Sequence, residues 1–347
     1  MTSGQKTILI TGGAGFVGSN ALAYFFRAYP DYRYIVLDAL TYAGDMRSIP
    51  EDIQKSPNFS FVKGDVRDKR QVNELVAKAD YVIHLAAETH VTRSIAEGAS
   101  FFETNVLGTE NVATAVYRNR ERVKRFIHIS TSEVYGTAES ELMDERHPLN
   151  PQSPYAAAKA GADRLIYAYH QTYKIPSVTL RPFNLFGPRQ HPEKVIPRFI
   201  TSRLLKEPLT IHGTGASERD YTYVEDVARA VDLVLHAPAE KVVGEVFNVG
   251  NARGISTRSI ADLILKLIPV PGEQPLVTTS DRPGQVASHA ADFRKIEKAL
   301  GWKPLTNFED GLAEVVEWYK ENRAWWEPKL EMRQVPIEVG GGKKEMQ

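Results

Sequence analysis

Five residues of this chain are of types, and at spacings, that could do chemistry together. Thr131, Ser132 and Glu133 sit in the stretch ISTSEVYG, which closes a β-like run beginning at Arg125, and Tyr155 and Lys159 follow in YAAAK. Tyr155 and Lys159 are four apart at a helix start and so share one face. A free tyrosine, with a pKa of about 10, is a poor base at neutral pH, but a neighbouring ammonium lowers that value, and a tyrosinate can take a proton from a hydroxyl. Thr131 can hydrogen-bond the same hydroxyl. Taken alone, Tyr-x-x-x-Lys more often means a core-edge tyrosine beside a surface lysine. A strand ending in Ser130, Thr131 and Ser132, with a carboxylate next to it, points to chemistry instead.

Proton removal from an alcohol is useful when something accepts the hydride, and the N-terminus supplies a candidate site for that acceptor. The stretch ILITGGAGFVGSNALAYFF reads as a strand, a glycine turn and a helix. Gly12, Gly15 and Gly18 recur at every third position, and Gly13-x-Gly15-x-x-Gly18 also meets the dinucleotide fingerprint. Such a loop gives a tight turn, close backbone approach to a pyrophosphate, and a helix N-terminus facing the phosphates. Asp38 ends the next strand, where a carboxylate can accept from the adenosine ribose hydroxyls and would repel a 2′-phosphate. Ala39 and Leu40 offer no compensating cation, so NAD is expected rather than NADP. Asp65, in KGDVRD after the third strand, could bind the adenine amino group or be a solvated turn residue.

The elements that must position these residues alternate. Strands are expected over Thr7–Thr11, Tyr34–Asp38, Phe59–Lys63, Tyr81–Leu85, Arg125–Ser130 and Ser177–Pro182. Helices are expected over Phe16–Ala28, Lys69–Lys78, Phe101–Asn119 and Tyr155–Tyr173. Apolar strands without in–out alternation mean a parallel sheet covered on both faces. The fold class is α/β, a Rossmann-type doubly wound parallel sheet with a smaller, interleaved C-terminal substrate-binding domain. Residues 1–185 form the first domain, with 220–250 (YVEDVARAVDLVL and EVFNVG) returning to it. Residues 186–219 and 251–325, richer in Gly, Pro and charge, form the second, and 326–347 reads as a poorly ordered tail.

Bulk properties exclude several classes. The 347 residues carry 43 basic and 43 acidic side chains, so no field favours a polyanion and nucleic acid is not an expected partner. The absence of cysteine removes disulfides, thiolate metal sites and a cysteine nucleophile, and is what a reducing compartment permits. The nine histidines have no ligand spacing, and no metal is expected. With no leader-like start and no stretch approaching a membrane span, a soluble, cytoplasmic protein is expected.

The motifs TGGAGFVGS, HLAAETHVTRS, STSEVYG, YAAAK and RDYTYVEDV, over roughly residues 6 to 320, resemble the extended short-chain dehydrogenase/reductases that act on nucleotide sugars. Within them, LDALTYAGDMRSI, HLAAETHVTRSI and HPEKVIPRFI are similar to nucleotide-sugar 4,6-dehydratases, especially the dTDP-glucose type. The resemblance implies cofactor contacts from Gly12, Gly15, Phe16, Val17, Gly18, Asp38, Asp65, Val66, Leu85, Ala86, Ala87, Tyr155 and Lys159. It implies substrate contacts from Thr89, His90, Thr131, Asn184, Lys194 and Asn248, with Arg219 and Arg282 on the diphosphate, where guanidinium forks suit paired oxygens. Thr131, Ser132, Glu133, Tyr155 and Lys159 become the catalytic set. Glu133 separates reactions: an epimerase needs only to oxidise and re-reduce C4, whereas a dehydratase must also remove the C5 proton.

Two departures stand out. The dTDP-glucose group has aspartate, assigned as the acid, where this chain has Ser132, and usually a histidine where it has Gln285. Thr-Ser-Glu is similar to GDP-mannose dehydratases, to dehydratases of amino sugars and to UDP-glucuronate decarboxylases. The expected function is an NAD-dependent nucleotide-sugar 4,6-dehydratase, a hydro-lyase; the alternatives are a UDP-glucuronate decarboxylase, a 4-epimerase or a non-catalytic nucleotide sensor. The helices Phe101–Asn119 and Tyr155–Tyr173 are apolar on more than one face, which suits ordinary buried helices or, as the resemblance implies, pairing with a second subunit in a homodimer.

Overall fold

The apolar runs are strands because both of their faces are covered. In a computed structural model describing residues 4–271, 275–279, 289–333, 336–339 and 343–346, all five residues of β1 (Thr7–Thr11) are buried. Ile8 and Ile10 pack on one face with Phe25, Val36, Val227 and Val231. Leu9 packs on the other with Val72, Val82, Val112 and Phe126. Successive side chains point to opposite faces, so a strand apolar at every position needs a helical layer on each side. Phe16–Ala28 and Val224–His236 supply one, Lys69–Val76 and Thr109–Arg118 the other.

The remaining strands of the main sheet are β2 (Arg33–Asp38), β3 (Phe59–Lys63), β4 (Tyr81–His84), β5 (Arg125–Ile129) and β6 (Ser177–Pro182). A late strand joins them; three short ones precede it, β7 (Asn184–Phe186), β8 (Leu209–His212) and β9 (Glu218–Tyr223), and the late one is β10 (Val246–Val249). The order is β10-β6-β5-β4-β1-β2-β3, all parallel. The chain leaves β1 toward β2 on one side and returns to β4 on the other. That reversal opens a crevice beyond the strand ends, where open α/β sheets bind ligands.

The second lobe is built around β7, β9 and β11 (Gly254–Ser256), in the order β11-β9-β7, and around β8 paired with β12 (Leu276–Thr279). Its core joins Ile200, Ile264, Leu312, Val316 and Tyr319 from three helices with Trp326.

One expectation needs correction. Phe101–Asn119 is not one regular helix: Ala99–Phe102 leads into a π-helical stretch, Glu103–Gly108, before Thr109–Arg118. The widened turn lets the Asn105 side chain accept from Glu88 N (2.9 Å) and donate to Glu88 O (3.0 Å). In the terminal segment Glu327–Arg333 is 3₁₀-helical, and Pro336–Val339 pairs antiparallel with Lys343–Met346. Buried Trp325 and Trp326 anchor it, and Lys329 reaches back to Asp45.

Candidate active site

The glycine loop is a cradle that side chains would fill. Gly12 has φ +73°, a left-handed conformation suited to glycine, and a Cβ there would stand 2.7 Å from Ala86 N. A Cβ on Gly18 would collide with the Gly12 carbonyl. Asp38 lies across the loop, 8% exposed, accepting from Ala14 N (2.9 Å) and Leu40 N (2.8 Å). A carboxylate has about four lone-pair sites, so acceptor capacity remains for ribose hydroxyls. Asp65 accepts from Arg67 through its backbone and guanidinium (2.8 Å each) and lines the same cavity.

That cavity, about 540 Å³, runs from the glycine loop past Asp38 and Asp65 to Tyr155, Lys159 and Lys194. Phe16, Val17, Val66, Leu85, Ala86 and Ala87 all lie on its wall. The size and the mix of apolar wall with a few polar groups suit a small-molecule site. The donor set fits NAD: backbone around three glycines for a pyrophosphate and Asp38 for a ribose.

The reactive groups meet where β5 ends. Thr131 caps a short 3₁₀ turn, Ser132–Tyr135, accepting from Glu133 N at 3.2 Å, which turns Glu133 into the cavity wall. Opposite, Ser153 caps the Pro154–Tyr173 helix by accepting from Ala156 N (3.1 Å), so Tyr155 and Lys159 occupy its first turns. Lys159 Nζ donates to Ile129 O at 2.6 Å, and burial lowers its pKa to about 8 against the pull of Asp163. Burial pushes the Tyr155 phenol upward; its hydrogen bond with Thr131 acts the other way, and the charge of Glu133 adds to the rise. The lowered tyrosine pKa expected from the sequence is therefore not a property of the chain alone, since the Lys159 ammonium is committed to a carbonyl. Burial also raises the Glu133 carboxyl, with Arg219 and Lys194 pulling it back down.

A buried polar chain holds this helix to the sheet. Arg181, 2% exposed, donates to both oxygens of Asp163 (2.9 and 2.8 Å) and to the Tyr135 hydroxyl (2.9 Å). Tyr135 donates to Asn248 Oδ1 (2.7 Å), and Asn248 Nδ2 donates to Met143 O (2.8 Å). Asn248 is thus fully buried and committed to scaffold bonds rather than presented to the cavity, which corrects its reading as a substrate contact.

Thr89, His90, Asn184 and Lys194 line the cavity, with Lys194 Nζ donating to Thr89 O at 3.2 Å. Arg219 is felt electrostatically at Glu133. Arg282 and Gln285 lie outside the described residues. Three residues were missed. Glu193, its side chain 2% exposed, accepts from Tyr42 (3.1 Å) and lies 3.5 Å from His90 and 3.3 Å from Lys194, tying three loops together. Its position beside Lys194 in HPEKVIP was the available signal. Tyr42 had none, nor did His289, whose Nδ1 lies 3.5 Å from Ser132 Oγ. Among the described residues no His/Asp/Glu cluster could hold a metal ion.

Fold and site together define a Rossmann-type enzyme of the short-chain dehydrogenase/reductase architecture, with a carboxylate added to its Tyr/Lys pair. Comparison with known proteins carries this further. The chain belongs to the GDP-mannose 4,6 dehydratase family, whose sequence model matches residues 9–315. It is 41% identical over 325 residues to the dTDP-glucose 4,6-dehydratase of Streptomyces niveus, covering 92% of this chain and 95% of that protein. It is 40% identical over 326 residues to a trifunctional UDP-glucose 4,6-dehydratase/UDP-4-keto-6-deoxy-D-glucose 3,5-epimerase/UDP-4-keto-L-rhamnose-reductase of Arabidopsis thaliana. That match covers 92% of this chain but 48% of the relative, so the chain spans about half the length of that protein. Among solved structures, the dTDP-glucose 4,6-dehydratase DesIV of Streptomyces venezuelae, solved with NAD bound, superposes with a TM-score of 0.87 at 40% identity, covering 93% of this chain and 99% of its own.

Proposed function

We propose that the protein is an NAD-dependent nucleotide-sugar 4,6-dehydratase, a hydro-lyase of the dTDP-glucose 4,6-dehydratase kind, converting an NDP-hexose to the NDP-4-keto-6-deoxyhexose. The observation that carries this reading is Glu133, a carboxylate in the same cavity wall as Thr131 and Tyr155. Relatives acting on dTDP- and UDP-glucose support it. Gly12, Gly15, Gly18 and Asp38 would hold the cofactor, which when bound supplies a hydride acceptor for C4 and a donor for C6.

In this reading Tyr155 takes the O4 proton while Thr131 holds the hydroxyl. Lys159 fixes the end of β5 through its hydrogen bond to Ile129 O. The ketone formed at C4 acidifies C5, and Glu133 takes that proton. Its half-buried setting keeps it reactive as a base at neutral pH, because a raised carboxyl pKa means a stronger base. Water leaves from C6, with Ser132 as the neighbouring hydroxyl. Lys194 would contact the sugar nucleotide, and Arg219 is the cation assigned to its diphosphate.

The proposal includes residues 186–219 and 251–325 as the substrate-binding part, and a cytoplasmic location, which the cysteine-free composition permits. It also includes a homodimer, in which Ile95, Phe102, Leu107, Tyr167 and Tyr173, 43–61% exposed, are covered by a second copy. The test is incubation with dTDP-, UDP-, GDP- and CDP-hexoses, followed by the alkali-induced absorbance of a 4-keto-6-deoxy product. Conversion of at least one hexose is expected. CO₂ release from UDP-glucuronate with no keto product from any hexose would overturn the reading in favour of a decarboxylase.

A further inference from the structure

Ser132 lies in the cavity wall between Thr131 and Glu133 and is 1% exposed. Its hydroxyl does not face a neighbour in its own turn. It faces a residue from the far end of the chain: His289 Nδ1, at 3.5 Å. The imidazole is 2% exposed and lies against the Phe183 ring, centroids 4.9 Å apart, and Phe183 itself lines the cavity.

The segment carrying His289 is pinned by its backbone. Asp220 N donates to His289 O (3.0 Å), Met143 N to Ala290 O (2.9 Å), and Ala291 N to Asp220 Oδ2 (3.0 Å). Sheet and loop thus deliver a buried imidazole to the back of a serine whose front lines the reaction cavity.

Breaking the C6–O bond puts negative charge on the departing oxygen, and a preorganised donor aimed there lowers the barrier. A serine hydroxyl has one proton to aim. If His289 accepted that proton, only lone pairs would face the sugar. If His289 donates, the serine proton is left for the cavity, and a donor chain strengthens each of its bonds.

We propose that His289, as the neutral Nδ1–H tautomer, is a positioning residue that donates to Ser132 Oγ and aims the Ser132 hydroxyl at the departing C6 oxygen. The inference rests on the 4,6-dehydratase reading above. Neither group gives up its proton. Glu133 takes the C5 hydrogen as a proton, the C6–O bond breaks, and that proton passes from Glu133 to the departing oxygen, which leaves as water. Hydride from C4 ends on C6. The proton that returns to C5 comes from solvent, balanced by the O4 proton that Tyr155 releases. Burial, reinforced by the positive charge of Arg219, holds the His289 pKa down to about 4 against a hydrogen bond to the Ser132 backbone, so the imidazole is neutral at working pH.

The test compares wild type, H289F, H289Q, S132A and S132A/H289F on a hexose that wild type converts. We expect H289F to lower kcat for water loss about 10- to 100-fold, the range for a residue that orients an active-site group, with KM within about twofold. In D₂O, unconverted substrate recovered from H289F should still gain deuterium at C5, because proton removal by Glu133 does not use Ser132. H289Q, whose amide can still donate, should keep most of the activity, and S132A/H289F should be no slower than S132A.

Wild-type kcat in H289F, an additional loss of the H289F size in the S132A background, or C5 exchange falling in step with kcat would each overturn the proposal. A readout independent of any variant is the ¹⁵N spectrum of histidine-labelled wild type. A proton on Nδ1 of His289 is expected, and a proton on Nε2 alone would overturn it. If wild type dehydrates no hexose, the functional reading falls and takes this inference with it. If wild type dehydrates and H289F matches it, the inference falls alone.

Discussion

At the scale of single residues, Glu133 is the side chain whose surroundings shift it toward the task proposed for it. Burial raises its carboxyl while Arg219 and Lys194 oppose the rise. Glu133 acts as a base only when ionised, so activity is lost as pH falls through its raised pKa. The acid limb of the kcat profile should therefore lie above the ordinary glutamate value of about 4.3. R219A, which removes one of the opposing charges, should move that limb to still higher pH, as read from a kcat–pH profile. E133Q should cut 4-keto-6-deoxy product by about 10²- to 10⁴-fold while oxidation at C4 continues, seen as reduced nicotinamide absorbance building up on substrate addition. Residues that act through local spacing, such as the glycines, Thr131, Tyr155 and Lys159, could be read from the sequence because strand, turn and helix fix them. Asn248 was misread, since nothing local reveals that its amide is bonded to Tyr135 and Met143. Glu193 and His289 acquire their neighbours only when distant loops meet.

At the scale of elements, the strands were legible because burial on both faces leaves a continuous apolar run. Thr7–Thr11 and Ser177–Pro182 have the boundaries their composition suggests. The π-helical stretch Glu103–Gly108 was not legible, because one widened turn barely disturbs helical periodicity. Nor was the attachment of the catalytic helix, which depends on a charge pair between Asp163 and Arg181. D163N should leave the 2%-exposed Arg181 guanidinium without its anion and cost about 3–5 kcal/mol, measured by urea unfolding. Replacing both partners with apolar residues of similar volume, as in D163L/R181M, should cost less than D163N alone. The desolvation of an unpaired charge outweighs the loss of the pair itself.

At the scale of the whole molecule, the doubly wound sheet was legible from alternation of elements, whereas the way the chain's end rejoins the first lobe was not. The proposed dimer is tested here too. Leu107 is 58% exposed beside the π-helical stretch, and Tyr167 is 48% exposed on the catalytic helix. L107D or Y167D should weaken self-association by about 2–4 kcal/mol, roughly 30- to 1,000-fold in dissociation constant, as followed by analytical ultracentrifugation.

The reach of Lys329 to Asp45 has a kinetic meaning. Asp45 N donates to the Ala14 carbonyl of the glycine loop (3.1 Å), Arg47 Nη1 donates to Ala324 O (3.0 Å), and Trp325 Nε1 donates to Ser48 Oγ (3.2 Å). Farther along, Arg333 Nη2 donates to Glu207 in the other lobe (3.1 Å). The last helical turns therefore buckle the loop beside the glycines to the second lobe, and prising that mouth open breaks several bonds together. A dinucleotide seated behind such a buckle is expected to exchange slowly and to travel with the protein through chromatography, which nucleotide released on denaturing the purified protein would show.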